Sequence, residues 1–447
     1  MAWTQESVLQ LAPDAGSAKS GKELAGPRKW VSFHTNGQNI WGLCQGSGSK
    51  PYQTIVDLGE PAFKCSCPSR KFPCKHGLGL LLLYAADAPS FTTAGPPEWV
   101  TQWLTSRAER ATKKAEAAGK PPAPIDVEAQ AERREKRMDR IVAGLASLRT
   151  WVDDLIKQGI AAVPSRGYSF FDEPARRMVD AQAPGMAGMI QVLGATANSG
   201  AGWHGRFLRQ LGSLHALLRA ADRLDQLPAE TRDDVMAAIG VPIPQDEVLA
   251  RRAVADSWQV IAQEVEFADK LRVQRTWLFG RTTNRPALVL HFAHGTGPLD
   301  GSFIVGSEFE GDICFFPGNG IRAAVKTRKS GKPFDGLPGY PTLDRVCDAY
   351  SNLLAAQPWI GPVVLPVRQL VPVHRDQTWG FADATGATLP ARMSPAVAWR
   401  TMAASGGHPI DLSVRFDGDE LEPLAIASEG RYVSLATAHP GGAGIAG

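Results

Sequence analysis

Between Phe63 and Gly77 the chain reads FKCSCPSRKFPCKHG, which places three of its six cysteines and one of its nine histidines in the interval Cys65 to His76. Thiolate and imidazole are the donors that zinc prefers. A structural zinc takes four of them in a tetrahedron, usually as two close pairs from adjoining elements. The pattern Cys65-x-Cys67-x6-Cys74-x-His76 supplies two such pairs. In an extended segment residues i and i+2 point to the same side, so Cys65 and Cys67 can converge. Pro68, Ser69 and Pro73 favour a turn that brings back the second pair. Cys74 and His76 then sit at the mouth of a helix, whose N-terminal dipole stabilises thiolate. The competing reading is a set of incidental cysteines or a redox pair. A catalytic dithiol usually reads C-x-x-C in a βαβ context, and the chain offers neither here. Four protein ligands leave no open position for a catalytic water, so the expectation is one structural Zn2+ held by Cys65, Cys67, Cys74 and His76.

The elements that must position these ligands are legible on both sides. WVSFHTNG and NIWGLCQG are short aromatic and β-branched runs separated around Asn36-Gly37, a strong hairpin dipeptide. A third run, YQTIVDL, alternates and ends before Gly59, and KHGLGLLLLYAAD reads as an apolar helix closed near Pro89. Residues 28–90 are therefore expected to form a few antiparallel strands, a cysteine-bearing turn and one helix. The ligand pattern in this context resembles the SWIM zinc finger: C-x-C, a variable gap, then C-x-H, built as short strands followed by a helix. The longer spelling PYQTIVDLGEPAFKCSCPSRKFPCKHGLGLLLL is similar to bacterial SWIM zinc finger proteins. The resemblance implies the same four ligands and, as is inferred for such proteins, an interaction with nucleic acid or protein. It covers about a seventh of the chain and implies nothing firm about residues 138–447.

Lys64, Arg70, Lys71 and Lys75 flank the ligands with no acid between positions 64 and 76, and they are the candidate contacts for a nucleic acid or a protein partner. Other motifs carry less. His291-x-x-His294 falls at the end of an expected strand, where i and i+3 face opposite sides, and reads as core and loop histidines. The basic segment 326–332 reads as a solvated hairpin tip. Trp99, Trp103, Trp151, Trp203, Trp258 and Trp277 mostly fall on apolar faces and read as core. Cys44, Cys314 and Cys347 stand alone and read as small buried residues. No P-loop, G-x-S-x-G or kinase signature is present, and no catalytic residue or organic cofactor is assigned.

At 447 residues the chain is too long for one core. The expected class is α+β multidomain: the zinc finger at 28–90, a charged linker at 105–137, a helical domain at 138–275 and a β-rich domain at 276–447. Residues 1–27 are expected to be loosely ordered or strand-poor. In the helical domain, Met138, Ile141, Val142, Leu145, Leu148, Val152, Leu155 and Ile156 follow a helical period stopped by Gly159. Further helices are expected over 173–183, 207–224 and, by apolar spacing alone, 245–275. The net charge is +3; residues 1–140 carry 19 Lys/Arg against 14 Asp/Glu, and the remainder 29 against 31. Six cysteines are no disulfide framework, the start lacks a signal-peptide pattern, and the longest apolar run, Gly77 to Ala86, is too short to span a bilayer. A cytoplasmic protein without membrane contact is expected. The functional expectation is a non-enzymatic zinc protein whose finger binds DNA, RNA or a protein. The alternative is an adaptor for an ATPase machine, of the AAA type, and an enzyme with an unrecognised C-terminal site is the remote third.

Overall fold

The computed structural model describes residues 3–435 apart from positions 4, 13, 14, 47–49, 60, 61, 70–72, 120–126, 168, 201, 269, 270, 295–298, 330, 376, 429 and 430. It is mixed helix and sheet and divides into two units, Met1–Asp126 with Ala293–Ser302, and Val127–Phe292 with Phe303–Gly447.

The first unit runs through α1 (Gln5–Gln10), α2 (Ala15–Glu23), β1 (Trp30–Thr35), β2 (Asn39–Cys44), β3 (Tyr52–Asp57), β4 (Ala62–Cys65), α3 (Lys75–Ala86), β5 (Thr92–Thr93) and α4 (Glu98–Gly119). Its sheet has the order β4-β3-β2-β1-β5, antiparallel except where β5 joins β1. The hairpin at Asn36-Gly37 is closed by Asn36 Oδ1, which accepts from the backbone N–H groups of Gln38 and Asn39. Strand alternation then sorts the core onto two faces. Ile40 and Val56 pack with Leu78 and Leu81 of α3, whereas Trp41 and Ile55 pack with Val100 of α4. Helix α3 is apolar nearly all round because it is enclosed, with the sheet on one side and α1 and α2 against it on the other. Residues 1–27, expected to be loosely ordered or strand-poor, hold these two helices and no strand among the described residues. The α2–α3 crossing is close: a Cβ on Gly79 would lie 2.7 Å from the Leu24 Cβ. Helices this short have little stability alone, and packing against α3 supplies it.

The second unit begins with α5 (Val127–Gln158), α6 (Ser169–Asp180), α7 (Pro184–Ala197), α8 (Trp203–Ala221), α9 (Ala229–Ile239) and α10 (Gln245–Leu249). Much of the expected linker at 105–137 is thus helical, in the C-terminal part of α4 and the start of α5. The stripe expected on α5 is buried at Ile141, Leu145, Leu148, Val152 and Leu155, but Val142 and Ile156 face solvent, and the helix ends before Gly159, whose φ is +77°. Pro184-Gly185, which directly follows the helix expected over 173–183, starts α7, because proline is preorganised for the first helical turn. Met186, Ile190 and Leu193 of α7 join Phe171, Phe207, Leu214 and Val235 in one core.

The helix expected over 245–275 is the largest departure. Only Gln245–Leu249 is helical, and the segment continues as β6 (Val254–Ala268) and β7 (Leu271–Gly280). A β-bulge between Val260 and Ala262 interrupts the two-residue alternation. It leaves the run Trp258, Val260, Ile261, Ala262 and Val265 with apolar spacing that imitates a helix. Then follow β8 (Pro286–His294), β9 (Ser307–Phe315), β10 (Ala323–Arg328) and β11 (Lys332–Pro333). The strand order is β10-β9-β6-β7-β8, with β11 also pairing to β9. This sheet closes on itself: the Leu288 N–H donates to Ile321 O at 2.7 Å, and Leu288 and Arg322 form a parallel bridge. Trp258, Val260, Leu278, Phe309 and Ile313 fill the barrel.

The chain continues through α11 (Leu343–Ala356), β12 (Val363–Arg375), β13 (Thr378–Ala382), β14 (Thr388–Pro390), α12 (Pro395–Ser405), β15 (Ile410–Phe416), β16 (Leu421–Ser428) and β17 (Arg431–Ser434). These strands form a second sheet in the order β14-β13-β12-β15-β16-β17. Its residues Leu365, Leu412 and Val414 share a core with Ile261, Trp277 and Phe279 of the barrel and with Val346 and Tyr350 of α11. Arg415 crosses between the sheets to pair with Glu264 of β6, and pairs with Glu422 at 2.8 Å. Trp277 Nε1 donates to Glu264 at 3.3 Å. The β-rich C-terminal region is therefore a barrel and a sheet joined back to back.

Candidate metal centre

The donor atoms of Cys65, Cys67, Cys74 and His76 all lie within 4.8 Å of one another. Each arrives for a local reason. Cys65 ends β4 opposite Thr54 of β3, on the sheet face that carries α3, and Thr54 Oγ1 lies 3.3 Å from its sulfur. Ser66 extends the pairing, its N–H donating to Gln53 O at 3.0 Å and its Oγ accepting from Gln53 N–H at 2.9 Å. That clamp presents Cys67 beside Cys65. Cys74 is the N-cap of α3, its sulfur accepting from the Gly77 N–H at 3.5 Å, and His76 lies buried in the first turn. His76 Nδ1 is 3.7 Å from Cys65 Sγ, and the Tyr52 ring lies against the imidazole with centroids 4.8 Å apart. A tetrahedron with zinc–sulfur bonds near 2.3 Å has edges of about 3.7 Å, so the cluster is close to the size such a centre needs.

The electrostatics agree with the geometry. A hydrogen bond from the Cys65 thiol pulls the Cys74 pKa down to about 4 against the opposing effect of burial, with His76 and the Gly77 N–H adding to it. The same contact, with burial and the Cys74 charge, pushes Cys65 up, and burial does the same to Cys67. Burial thus opposes a second and third thiolate in the absence of a cation. A divalent soft-acid ion is what this donor set fits, and Cys65, Cys67, Cys74 and His76 are positioned to bind one zinc ion that would tie β4 to α3. Among the described residues no other group of His, Cys, Asp or Glu has metal-holding geometry.

Cys44, expected to be a small buried residue, is one, and it also neighbours the cluster. It is fully buried on β2, on the same sheet face, with its thiol raised by burial and subject to the charges of Lys75, Cys74 and Cys67. Only strand pairing places it there, and it is not one of the four donors.

The basic residues do not form one patch as far as they are described. Lys64 and Lys75 are both exposed. Lys64 pairs with Ile55, whose side chain faces α4, so alternation directs it to the face opposite the metal ligands. A lysine on an edge strand also guards that edge against unwanted pairing. Arg70 and Lys71 lie outside the described residues. His291 and His294 are exposed and belong to no metal-holding group. In the basic segment, Lys329 and Lys332 pair with Glu310 and Glu308, and Arg328 lies over Phe303. Trp258 and Trp277 are buried, and Trp99, Trp103, Trp151 and Trp203 pack at the edges of cores.

Comparison with known families matches residues 55–85 to the SWIM zinc finger and residues 136–239 to the SWIM-associated four-helix bundle domain. The first span covers the strand, turn and helix that carry the four ligands, and the second ends with the last residue of α9. No curated protein and no solved structure gives a match.

Proposed function

We propose that this protein is a non-enzymatic, zinc-stabilised interaction protein that uses its finger to bind nucleic acid. The observation that supports this is the closed donor set: three sulfurs and one imidazole nitrogen within 4.8 Å fill a tetrahedral centre and leave the metal a structural role. In the sequence Arg70 and Lys71 lie between the two ligand pairs, and Lys75 follows at the start of α3. Three cations tethered to metal-fixed ligands suit phosphate contacts, which dominate the affinity of small nucleic-acid modules. Changing Arg70, Lys71 and Lys75 together to Gln should weaken retention of labelled DNA or RNA and flatten its salt dependence. Unchanged affinity and unchanged salt slope would sink the nucleic-acid reading of the finger.

The placement of Lys64 on the opposite face favours a second reading, a protein–protein adaptor. It reduces the basic footprint beside the metal, as does the net charge of only +3. An ATPase of the AAA type is a partner of this kind. A protein that co-purifies with the intact chain after nuclease treatment, and stays bound to the triple Gln variant, would support the adaptor.

A further inference from the structure

The barrel of the second unit carries an arginine rim that nothing above explains. At the end where β6 and β8 begin and β9 gives way to β10, Arg251, Arg252, Arg285 and Arg322 are all exposed. Two of them lie over aromatic rings: the Arg285 guanidinium carbon is 3.9 Å from the Phe315 centroid and that of Arg322 is 4.1 Å from the Phe316 centroid. Phe315 is partly buried against the barrel core and Phe316 against a small cluster with Val248 and Cys314, so both rings are supported from beneath. Among the described residues, none of these four arginines is paired with a carboxylate. The acids on the adjoining strand ends are otherwise engaged. Asp256 accepts from the N–H groups of Ser257, Thr282 and Thr283 and from the Thr283 hydroxyl, and Asp312 accepts from the Thr327 hydroxyl at 2.6 Å. Burial pulls the Arg285 and Arg322 pKa values down from their ordinary value; a guanidinium nonetheless stays protonated.

The loop behind the rim is fixed in advance. Asp234 of α9 accepts from the Asn319 N–H at 2.9 Å and from Asn319 Nδ2 at 2.8 Å. Gly318, at φ +93°, passes so close that a Cβ there would lie 2.2 Å from Asp234 Oδ1. The barrel's connectivity points the same way. Strand β6 is shared, pairing with β9 through Val254–Gln259 and with β7 through Trp258–Ala268, and β8 meets β10 in parallel. That is the strand order of the five-stranded Greek-key barrel, which can carry oligonucleotides or oligosaccharides across its second and third strands. Here the corresponding outer face is already covered: Trp277, Phe279 and Leu288 lie in the core shared with the second sheet. Fold likeness therefore assigns no site by itself, and the open surface is the rim.

We propose that this rim binds single-stranded nucleic acid, with Arg285 and Arg322 stacking bases on their solvent-facing planes while Arg251 and Arg252 meet phosphates. A guanidinium fixed on a phenyl ring offers a preorganised π-surface to an unstacked base and keeps its N–H edge for phosphate. Duplex bases are already stacked and offer no such face, so the preference is for single strands. The rim is separate from the finger in sequence, and the inference stands whether or not the finger binds.

Fluorescence anisotropy of the full, zinc-loaded chain with labelled oligothymidylate tests it. R285Q/R322Q should weaken binding tenfold or more and lower the salt slope by about 0.7 for each phosphate no longer engaged. R285K/R322K should keep the salt slope but lose the preference for oligothymidylate over a duplex of equal length. R251Q/R252Q, which touches neither ring, should weaken binding without lowering the unfolding midpoint and so guards against a folding artefact. Wild-type affinity in R285Q/R322Q, or inorganic polyphosphate competing as well as oligothymidylate, would overturn the proposal. If the triple finger variant alone loses binding, the finger reading stands and this one fails.

Discussion

At the residue scale the finger depends on four donors whose protonation and metal occupancy are one problem. Because metal-binding energy is folding energy in so small a unit, Cys67→Ser should release zinc and unfold the region around residues 28–90. A colorimetric zinc assay beside far-UV circular dichroism reads both, and stoichiometric zinc retained by the variant would refute the assignment. The same readout run against pH has a definite sign. Zinc binds the thiolates of Cys65, Cys67 and Cys74 and the neutral imidazole of His76, and protons compete with the metal for all four, so zinc release should accompany acidification. The ligands were legible in the sequence because both pairs are spaced i, i+2, a periodicity that strand or helix mouth preserves locally. The nearness of Cys44 to them was not legible, because it depends on β2 pairing with β1 and β3 rather than on any neighbour in the chain.

At the element scale, close backbone approach decides what composition leaves ambiguous. A Cβ on Gly185 at the start of α7 would sit 2.1 Å from Ala238 O near the end of α9. Gly185→Ala should therefore destabilise the bundle by about 1–3 kcal/mol through forced separation of the two helices. Urea denaturation measures this, and an unchanged midpoint would show that the crossing relaxes freely. The element was missed in the sequence for the same reason: Pro-Gly at 184–185 has the signature of a break, and only the packing against α9 explains why glycine follows a helix-opening proline. Strand β6 shows the opposite failure. Its bulge near Ile261 converts alternation into apparent helical spacing, which no local rule separates from an amphipathic helix. By contrast, α3, the part of α5 from Met138 onward and the first three strands were legible, because each has a sustained period or a strong turn signal.

At the scale of the second unit, the bundle and the β-rich region are joined by a small set of specific bonds. Trp359 Nε1 donates to Ser213 O at 3.2 Å, Arg209 pairs with Asp419 at 2.6 Å, and Asp234 holds Asn319 through two bonds. Asp234 is only 1% exposed, so water cannot replace it as the acceptor. Burial raises its pKa, the two Asn319 donors act against that shift, and the balance depends on both being present. Asp234→Ala leaves the Asn319 N–H and Nδ2 without their acceptor, at a cost of about 1–3 kcal/mol. That cost falls on the junction rather than on either core, so the helical and β signals should become less coupled. Far-UV circular dichroism and tryptophan fluorescence followed in urea should then give midpoints further apart than in the parent chain. Asp234→Asn keeps an acceptor for the backbone N–H and should restore most of the parent behaviour. Unshifted transitions in Asp234→Ala would mean that Trp359 and the shared surface are sufficient, and that the loop behind the arginine rim is positioned without the carboxylate.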